Sequence, residues 1–333
     1  MRTTIYLATA HGLSVITGSD GNWRGAVRLK GKQIQCVAAD LNRKGVVYCG
    51  TFGDGVFRSD DGGATWKASH GVTKPKVTAL AASNSGAAYA GTEPSAIFRS
   101  DDSGETWREL GTLLTLSSAK EWSFPPRPET HHVRSILPDL AKPSRLHVAI
   151  EAGALLRSDD AGGTWRDRVP SGPKDTHSLA VHPHDPTRLH SAAGDGYFES
   201  VDDGDSWRRN VDGLEHQYCW SIAVSIADPT TLLLSASKSA YAAHSKESAN
   251  SFVYRRAGNE AWRQVPDGLP KPQGLRIPVV AASSVEPGLF YSSAEGMVWR
   301  SADDGLRWQK LAVQWIDDAA AEHAVDMAIV EEG

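Results

Sequence analysis

Five octapeptides of this chain are versions of one another: SDDGGATW (Ser59–Trp66), SDDSGETW (Ser100–Trp107), SDDAGGTW (Ser158–Trp165), SVDDGDSW (Ser200–Trp207) and SADDGLRW (Ser301–Trp308). A motif that recurs in phase limits the fold to architectures that grow by adding like units to one body. That outweighs the two-domain prior a chain of 333 residues would otherwise carry. Each octapeptide sits in a longer unit. Lys76–Leu110 holds an alternating run, a turn, a second run (AAYAGT), a loop, a third run (AIFRS), the octapeptide, and a fourth run opened by Trp107. Each run has strand length and is bounded by Gly, Asn, Asp or Pro, so the unit reads as a four-stranded antiparallel meander.

Counted by the tryptophan that opens the fourth strand, the units number seven: Trp23 (shortened motif), Trp66, Trp107, Trp165, Trp207, Trp262 (motif lost) and Trp308. First strands are expected to begin near Gln33, Lys76, His132, Asp175, Tyr218, Arg276 and Ala324. The N-terminal unit lacks a first strand of its own, whereas AVDMAIVEE follows the last tryptophan. The expected fold is therefore all-β: one seven-bladed β-propeller over residues 1–333, its first blade closed by residues 324–332 so that no sheet edge stays open.

The pattern Ser-x-Asp-x-Gly-x-Thr-Trp resembles the Asp box, or BNR repeat, and the resemblance covers nearly the whole chain. It implies kinship with sialidases, xyloglucanase-type glycoside hydrolases, sortilin-type receptors and the photosystem II assembly-factor type, in which the box is a structural turn between third and fourth strands. The chemistry of the residues agrees. The third-position Asp (Asp61, Asp102, Asp160, Asp202, Asp303) can accept turn amides, and the fifth-position Gly permits a positive φ. The Trp can bury about 200 Å² between blades. The boxes are thus expected to be architecture, on the face opposite the site.

That face should carry the starts of the first strands and the second-to-third loops. Repeat alignment places Gln35, Thr78, His132, His177, Trp220 and Pro278 at the channel-facing position, with Lys76, Asp175, Tyr218 and Arg276 two residues earlier. Arg134 stands where other blades carry an aliphatic residue, and Glu151, in its own blade's AIEAG, is its expected partner. The second-to-third loops add His11, Asp54, Glu93, Asp195 and Glu295. The expected catalytic group is His132, His177, Glu151 and Arg134: an imidazole can exchange a proton near neutral pH, and the guanidinium can orient an anion. Trp220, Tyr218, Arg276, Trp122, Lys76 and Asp195 are expected to bind ligand. His132 and His177 are also the pair that would hold a divalent metal, with His11, His216 or Glu151 as further ligands. His147, His182, His184 and His190 read as structural. Two insertions, Leu113–His132 with Trp122 and Phe124, and Ser237–Ser251, lengthen loops on the same face and suggest a lid or partner-binding rim.

The net charge of −5 has its signs interspersed, and the chain carries neither a Lys/Arg-rich run nor a membrane-length apolar run, so neither nucleic acid nor membrane is expected as a partner. The apolar part of MRTTIYLATAHG is too short for a signal peptide and reads as a strand. The three cysteines, Cys36, Cys49 and Cys219, lack metal-site spacing and read as buried thiols in a reducing compartment, which favours the cytoplasm. Cys36 and Cys49 fall on neighbouring expected strands, so a pair is open to them.

Three readings of function stay open. The first is a glycosidase-like hydrolase that binds and processes a small polar or anionic, sugar-derived ligand in the central funnel. LRIP at Leu275–Pro278 resembles the Arg-Ile-Pro motif of sialidases, although there it precedes the first Asp box and here the last; sialidases also have six blades, and the xyloglucanase type has two propellers. The second is a non-catalytic assembly scaffold with a protein partner on the same face. The third is a metal-dependent enzyme centred on His132 and His177.

Overall fold

A computed structural model describes residues 1–19, 21–111, 113–265, 267–316 and 322–332. The chain is a seven-bladed β-propeller, with seven sheets following one another along the sequence and almost no helix. The second blade comprises Ile34–Ala39, Val47–Thr51, Val56–Ser59 and Lys67–Ala68; the third Lys76–Ala82, Ala88–Glu93, Ile97–Ser100 and Arg108–Leu110; the fourth Val133–Pro138, Leu146–Ile150 and Ala154–Ser158. The fifth holds Thr176–His182, Asp185–Ala193, Gly196–Ser200 and Arg208–Arg209; the sixth Tyr218–Ser225, Asp228–Ser237, Ser251–Arg256 and Arg263–Gln264; the seventh Val279–Ala282, Phe290–Ala294, Met297–Ser301 and Gln309–Lys310. The described residues group into two compact units: Met1–Tyr6 with Ser14–Ala26 and His177–Gly333, and Leu7–Leu13 with Val27–Thr176. Among the described residues no helix is long and apolar enough to cross a membrane.

The first blade takes strands from both ends of the chain. Its order is Val313–Trp315, Asn22–Arg28, Gly12–Ser19, Arg2–Thr9, Ala324–Glu332. The last strand is the expected closure. The outermost one was not anticipated: Val313–Trp315 runs parallel to Asn22–Arg28, pairing Trp315 with Gly25. A Cβ on Gly25 would lie 2.7 Å from the Trp315 ring, so only glycine admits that indole.

A second departure concerns the fourth blade. Trp165 was expected to open a fourth strand, but only a bridge between Arg157 and Arg166 forms there. The Asp167 carboxylate instead accepts from Ser117 Oγ at 2.7 Å and Ser118 N at 2.9 Å, which diverts the chain onto the Leu113–His132 insertion. The cysteines are free and buried; register sets Cys36 opposite Gly50 and Cys49 opposite Val37, so the two thiols are out of step.

The octapeptides close on themselves. In the Ser59 box, Gly63 N donates to Ser59 Oγ (2.8 Å), and Asp61 accepts Thr65 N (2.8 Å) and Thr65 Oγ1 (2.6 Å). The Trp66 indole returns to Gly63 O at 3.1 Å. The Thr65 hydroxyl and amide hold the Asp61 carboxyl down at about 2. The fifth-position glycines have positive φ, as expected, and the fourth position shares that conformation even without glycine: Ser103 at 61°, Ala161 at 59°, Asp203 at 60° and Asp304 at 57°. His147 and His190 are buried in second strands.

Candidate functional site

Within the Val27–Thr176 unit, the repeat brings a second-to-third loop beside the entry to a first strand, and this builds a charged cluster. His132 directly precedes Val133–Pro138 and Glu151 directly follows Leu146–Ile150. Glu151 N donates to His132 O at 3.2 Å, which locks the two chain segments together. His132 Nε2 then lies 2.9 Å from Glu151 Oε2, and Arg134 Nε lies 3.4 Å from the same oxygen. Both His132 and Glu151 are less than a tenth exposed. The expected Arg134–Glu151 pair therefore exists, with His132 as a third member.

Glu93, at the corresponding loop of the third blade, forms the other half. Its side chain is 1% exposed and lies 3.5 Å from Lys76 Nζ. Arg127 grips it with both arms, Nε to Oε1 at 3.2 Å and Nη2 to Oε2 at 2.6 Å. Such an arrangement is stable because a buried carboxylate needs charged hydrogen-bond donors around it. His132 stands between the two carboxylates: its Nδ1 is 3.8 Å from Glu93 Oε2, beyond hydrogen-bond distance, and has no partner among the described residues. Phe124 meets the His132 ring edge-on at 4.7 Å, and Arg127 lies over the Phe124 ring at 4.8 Å.

The Leu113–His132 insertion thus reaches this cluster through Arg127 and Phe124. Trp122, expected to face ligand from the same insertion, is placed otherwise. It is 5% exposed, belongs to the core cluster with Leu113, Val133 and Ile150, and donates to Ser118 Oγ at 3.0 Å. A buried indole anchors the loop; it offers no wall to a ligand.

In the unit containing His177–Gly333, His177 joins an aromatic group. Its Nδ1 lies 2.6 Å from Cys219 O, and its ring centroid is 5.0 Å from Tyr218 and 4.8 Å from Trp220. Tyr218 and Trp220 share a strand face and stack at 6.4 Å. His244, at the end of the short helix Ala240–His244, lies 3.1 Å by Nε2 from Tyr218 OH. Arg276 makes a bidentate pair with Glu295, Nε–Oε1 2.9 Å and Nη2–Oε2 2.7 Å. Burial, then the Arg276 charge, pushes the neighbouring His323 down to about 4. Asp195 is exposed, and its carbonyl accepts from Arg209 Nε at 2.7 Å.

The residues expected from the sequence therefore fall into groups. His132, Arg134 and Glu151 come together, and Lys76 joins through Glu93. His177, Tyr218 and Trp220 come together within the unit that holds them, and Arg276 is engaged with Glu295. His132 and His177 each use one ring nitrogen on the protein itself. Glu93 and Glu295 were visible as loop acids in the repeat alignment; Arg127 and His244 were not, because insertions have no repeat position to align to.

The BNR/Asp-box repeat family matches residues 57–68. No curated protein sequence matches the chain. An ancestral GH74 enzyme is 16% identical with a TM-score of 0.64 over 98% of this chain, and a GH74 enzyme of Niastella koreensis is 14% identical with a TM-score of 0.71 over 92%. This chain spans only 40% and 52% of those two enzymes. YCF48 bound to D1 peptide is 14% identical with a TM-score of 0.59, covering 93% of this chain and 85% of that one. At these identities the likeness is one of fold. The chain is a seven-bladed β-propeller that carries a match to the BNR/Asp-box repeat at residues 57–68.

Proposed function

We propose that the cluster of Lys76, Glu93, Arg127, His132, Arg134 and Glu151 binds and processes a small polar or anionic, sugar-derived ligand. The observation that carries this is His132: Glu151 holds Nε2 at 2.9 Å, and Nδ1 has no hydrogen-bond partner among the described residues. A carboxylate-oriented imidazole is an acid/base unit, and it stands between carboxylates whose cations can orient an anionic group. The hydrolase relatives by fold support the same reading for a sugar derivative. Three free, buried thiols support a reducing, cytoplasmic setting.

The test is a thermal-shift and calorimetric screen with glucuronate and N-acetylneuraminate, glucose as the neutral control, and release of 4-nitrophenol from the matching glycosides. Binding of a sugar acid that is lost in Arg134→Gln, with turnover lost in His132→Gln, is the expected result. Absence of both binding and turnover would overturn it. In that case the second reading takes over, an assembly scaffold with a protein partner. It is favoured by the near-complete burial of Glu93, His132 and Glu151, whose charges then only brace the blades. A stoichiometric divalent metal in the purified protein, lost in His132→Ala, would instead support the metal-dependent reading.

A further inference from the structure

Between the sixth and seventh blades, inside one compact unit, lies a cleft of about 290 Å³. Its walls include Phe252, Val253, Leu269, Leu275 and Trp299. One side is the segment Leu269–Pro278, which carries three prolines and is tied down by its backbone: Gly274 N to Ala249 O at 2.7 Å, Ser251 N to Pro272 O at 3.3 Å, and Ile277 N to Ala243 O at 2.8 Å. The wall is therefore preformed, as small-molecule sites usually are. An apolar cavity of about 150 Å³ accepts a benzene ring, and this cleft has roughly twice that volume, which is room for two fused rings. Four polar residues, Ser251, Gln264, Lys271 and Ser292, interrupt the apolar lining, and two of them bear on a ligand. Ser251 is 1% exposed, and its hydroxyl has no hydrogen-bond partner among the described residues. Lys271 is exposed and has no carboxylate within ion-pair distance among the described residues. A buried hydroxyl without a partner is rare in native proteins and calls for one; the ammonium selects for negative charge.

We propose that this cleft binds a small planar bicyclic acid, with the rings against Trp299, Val253 and Leu275, the carboxylate at Lys271, and a ring substituent or carboxylate oxygen available to Ser251. The inference does not depend on the His132–Glu151 cluster. The full chain is titrated calorimetrically with naphthalene-2-carboxylate, beside naphthalene-2-methanol and benzoate. Saturable binding of one equivalent of naphthoate is expected, at least about tenfold tighter than either comparison compound. Leu269→Trp, which fills the cleft, should abolish it. The exposed substitution Lys271→Glu, which does not threaten folding, should weaken it about tenfold or more. Unchanged circular dichroism confirms that each variant is folded. No saturable binding, or binding indifferent to both Leu269→Trp and Lys271→Glu, overturns the site. Equal affinity for the neutral alcohol overturns the acid, as does a preference for benzoate for the bicyclic ring.

Discussion

At the corner between the third and fourth strands of the third blade, Ser100 Oγ accepts from Gly104 N at 2.7 Å, Asp102 accepts from Thr106, and the Trp107 indole donates to Gly104 O at 3.2 Å. These partners come from the same few residues, while Ser69 Oγ, donating to Gly104 O at 2.6 Å, and His70 O, accepting from Trp107 N at 2.9 Å, tie the corner to the preceding blade. In the sixth blade, Arg256 occupies the position of that serine, the last residue of the third strand. Its guanidinium crosses to the fifth blade: Nη2 meets Glu199 Oε2 at 2.8 Å, and the cation lies 4.9 Å over the Tyr197 ring. Trp262 donates to Asn210 O at 3.2 Å, a residue of the preceding repeat, where Trp107 bonds its own turn. The first blade, whose box is also incomplete, is held by residues from the far end of the chain, Val313–Trp315 and Ala324–Glu332. Where the local turn chemistry is lost, remote residues replace it. The boxed corners consequently keep the partners of their third-position acids within the turn, in keeping with a structural role.

The sharpest way to break this comparison is to remove a remote strand. Deleting residues from His323 onward strips the neighbour from Arg2–Thr9 and leaves an open edge. A fall in Tm of more than about 10 °C is expected by differential scanning calorimetry. A truncated chain that melts like the full one would show that the first blade needs no help from the C-terminus.

Next in size is Arg256→Ala. Arg256 is 4% exposed, and its loss strands the Glu199 carboxylate, which burial pushes up and the Arg256 and Asn210 hydrogen bonds hold down. Breaking such a pair costs about 3–5 kcal/mol. Asp102→Ala, in a boxed corner, should cost only about 1–3 kcal/mol in denaturant unfolding. It should leave sugar-acid binding unchanged. The reverse order of stability loss would contradict the idea that remote replacements carry more of the load than local boxes.

The acid limb separates the two kinds of corner further. Burial pushes Asp102 up, but hydrogen bonds from Thr106 and Ser100 outweigh it and hold the carboxyl at about 2; Asp61 is held at about 2 by Thr65. A carboxyl depressed in the folded state contributes stability that is full above its unfolded value of about 4 and is lost as pH falls through about 2. Asp102→Ala should therefore lose less stability between pH 4 and pH 2 than the wild type, measured by urea unfolding. Parallel pH curves would mean that these acids are not coupled to folding.

How much of this was legible in the sequence follows the same division. First strands at Lys76, Tyr218 and Ala324 begin where the repeat places them. The seventh blade's first strand begins at Val279, not near Arg276, because Pro278 has no amide to give a ladder. Arg134–Glu151 was readable as an odd charge beside a loop acid. Arg256 was not, because a lost motif says nothing about what fills its space, and Arg127 was hidden in an insertion whose path is set by tertiary contacts with Glu93 and Asp167.

The smallest expected effect tests whether even the boxed corners are ideal. At the fourth position of the box the backbone is left-handed in every boxed blade, with Gly62 at φ 70° and Ala161 at φ 59°. A Cβ in that region crowds the following carbonyl, at a cost of about 1–2 kcal/mol. Glycine removes the clash but adds freedom to the unfolded chain, worth about 0.4–1 kcal/mol in the opposite direction. The net expectation for Ala161→Gly is a gain of about 0.5 kcal/mol, and for Gly62→Ala a loss of similar size, both read from urea midpoints at constant slope. The Ala161 amide still donates to Ser144 O at 2.6 Å in either case, since the hydrogen bond is made by the backbone. If Ala161→Gly destabilises the protein, the alanine methyl is packing at that corner and the left-handed residue is a contact, not a strain that the box tolerates.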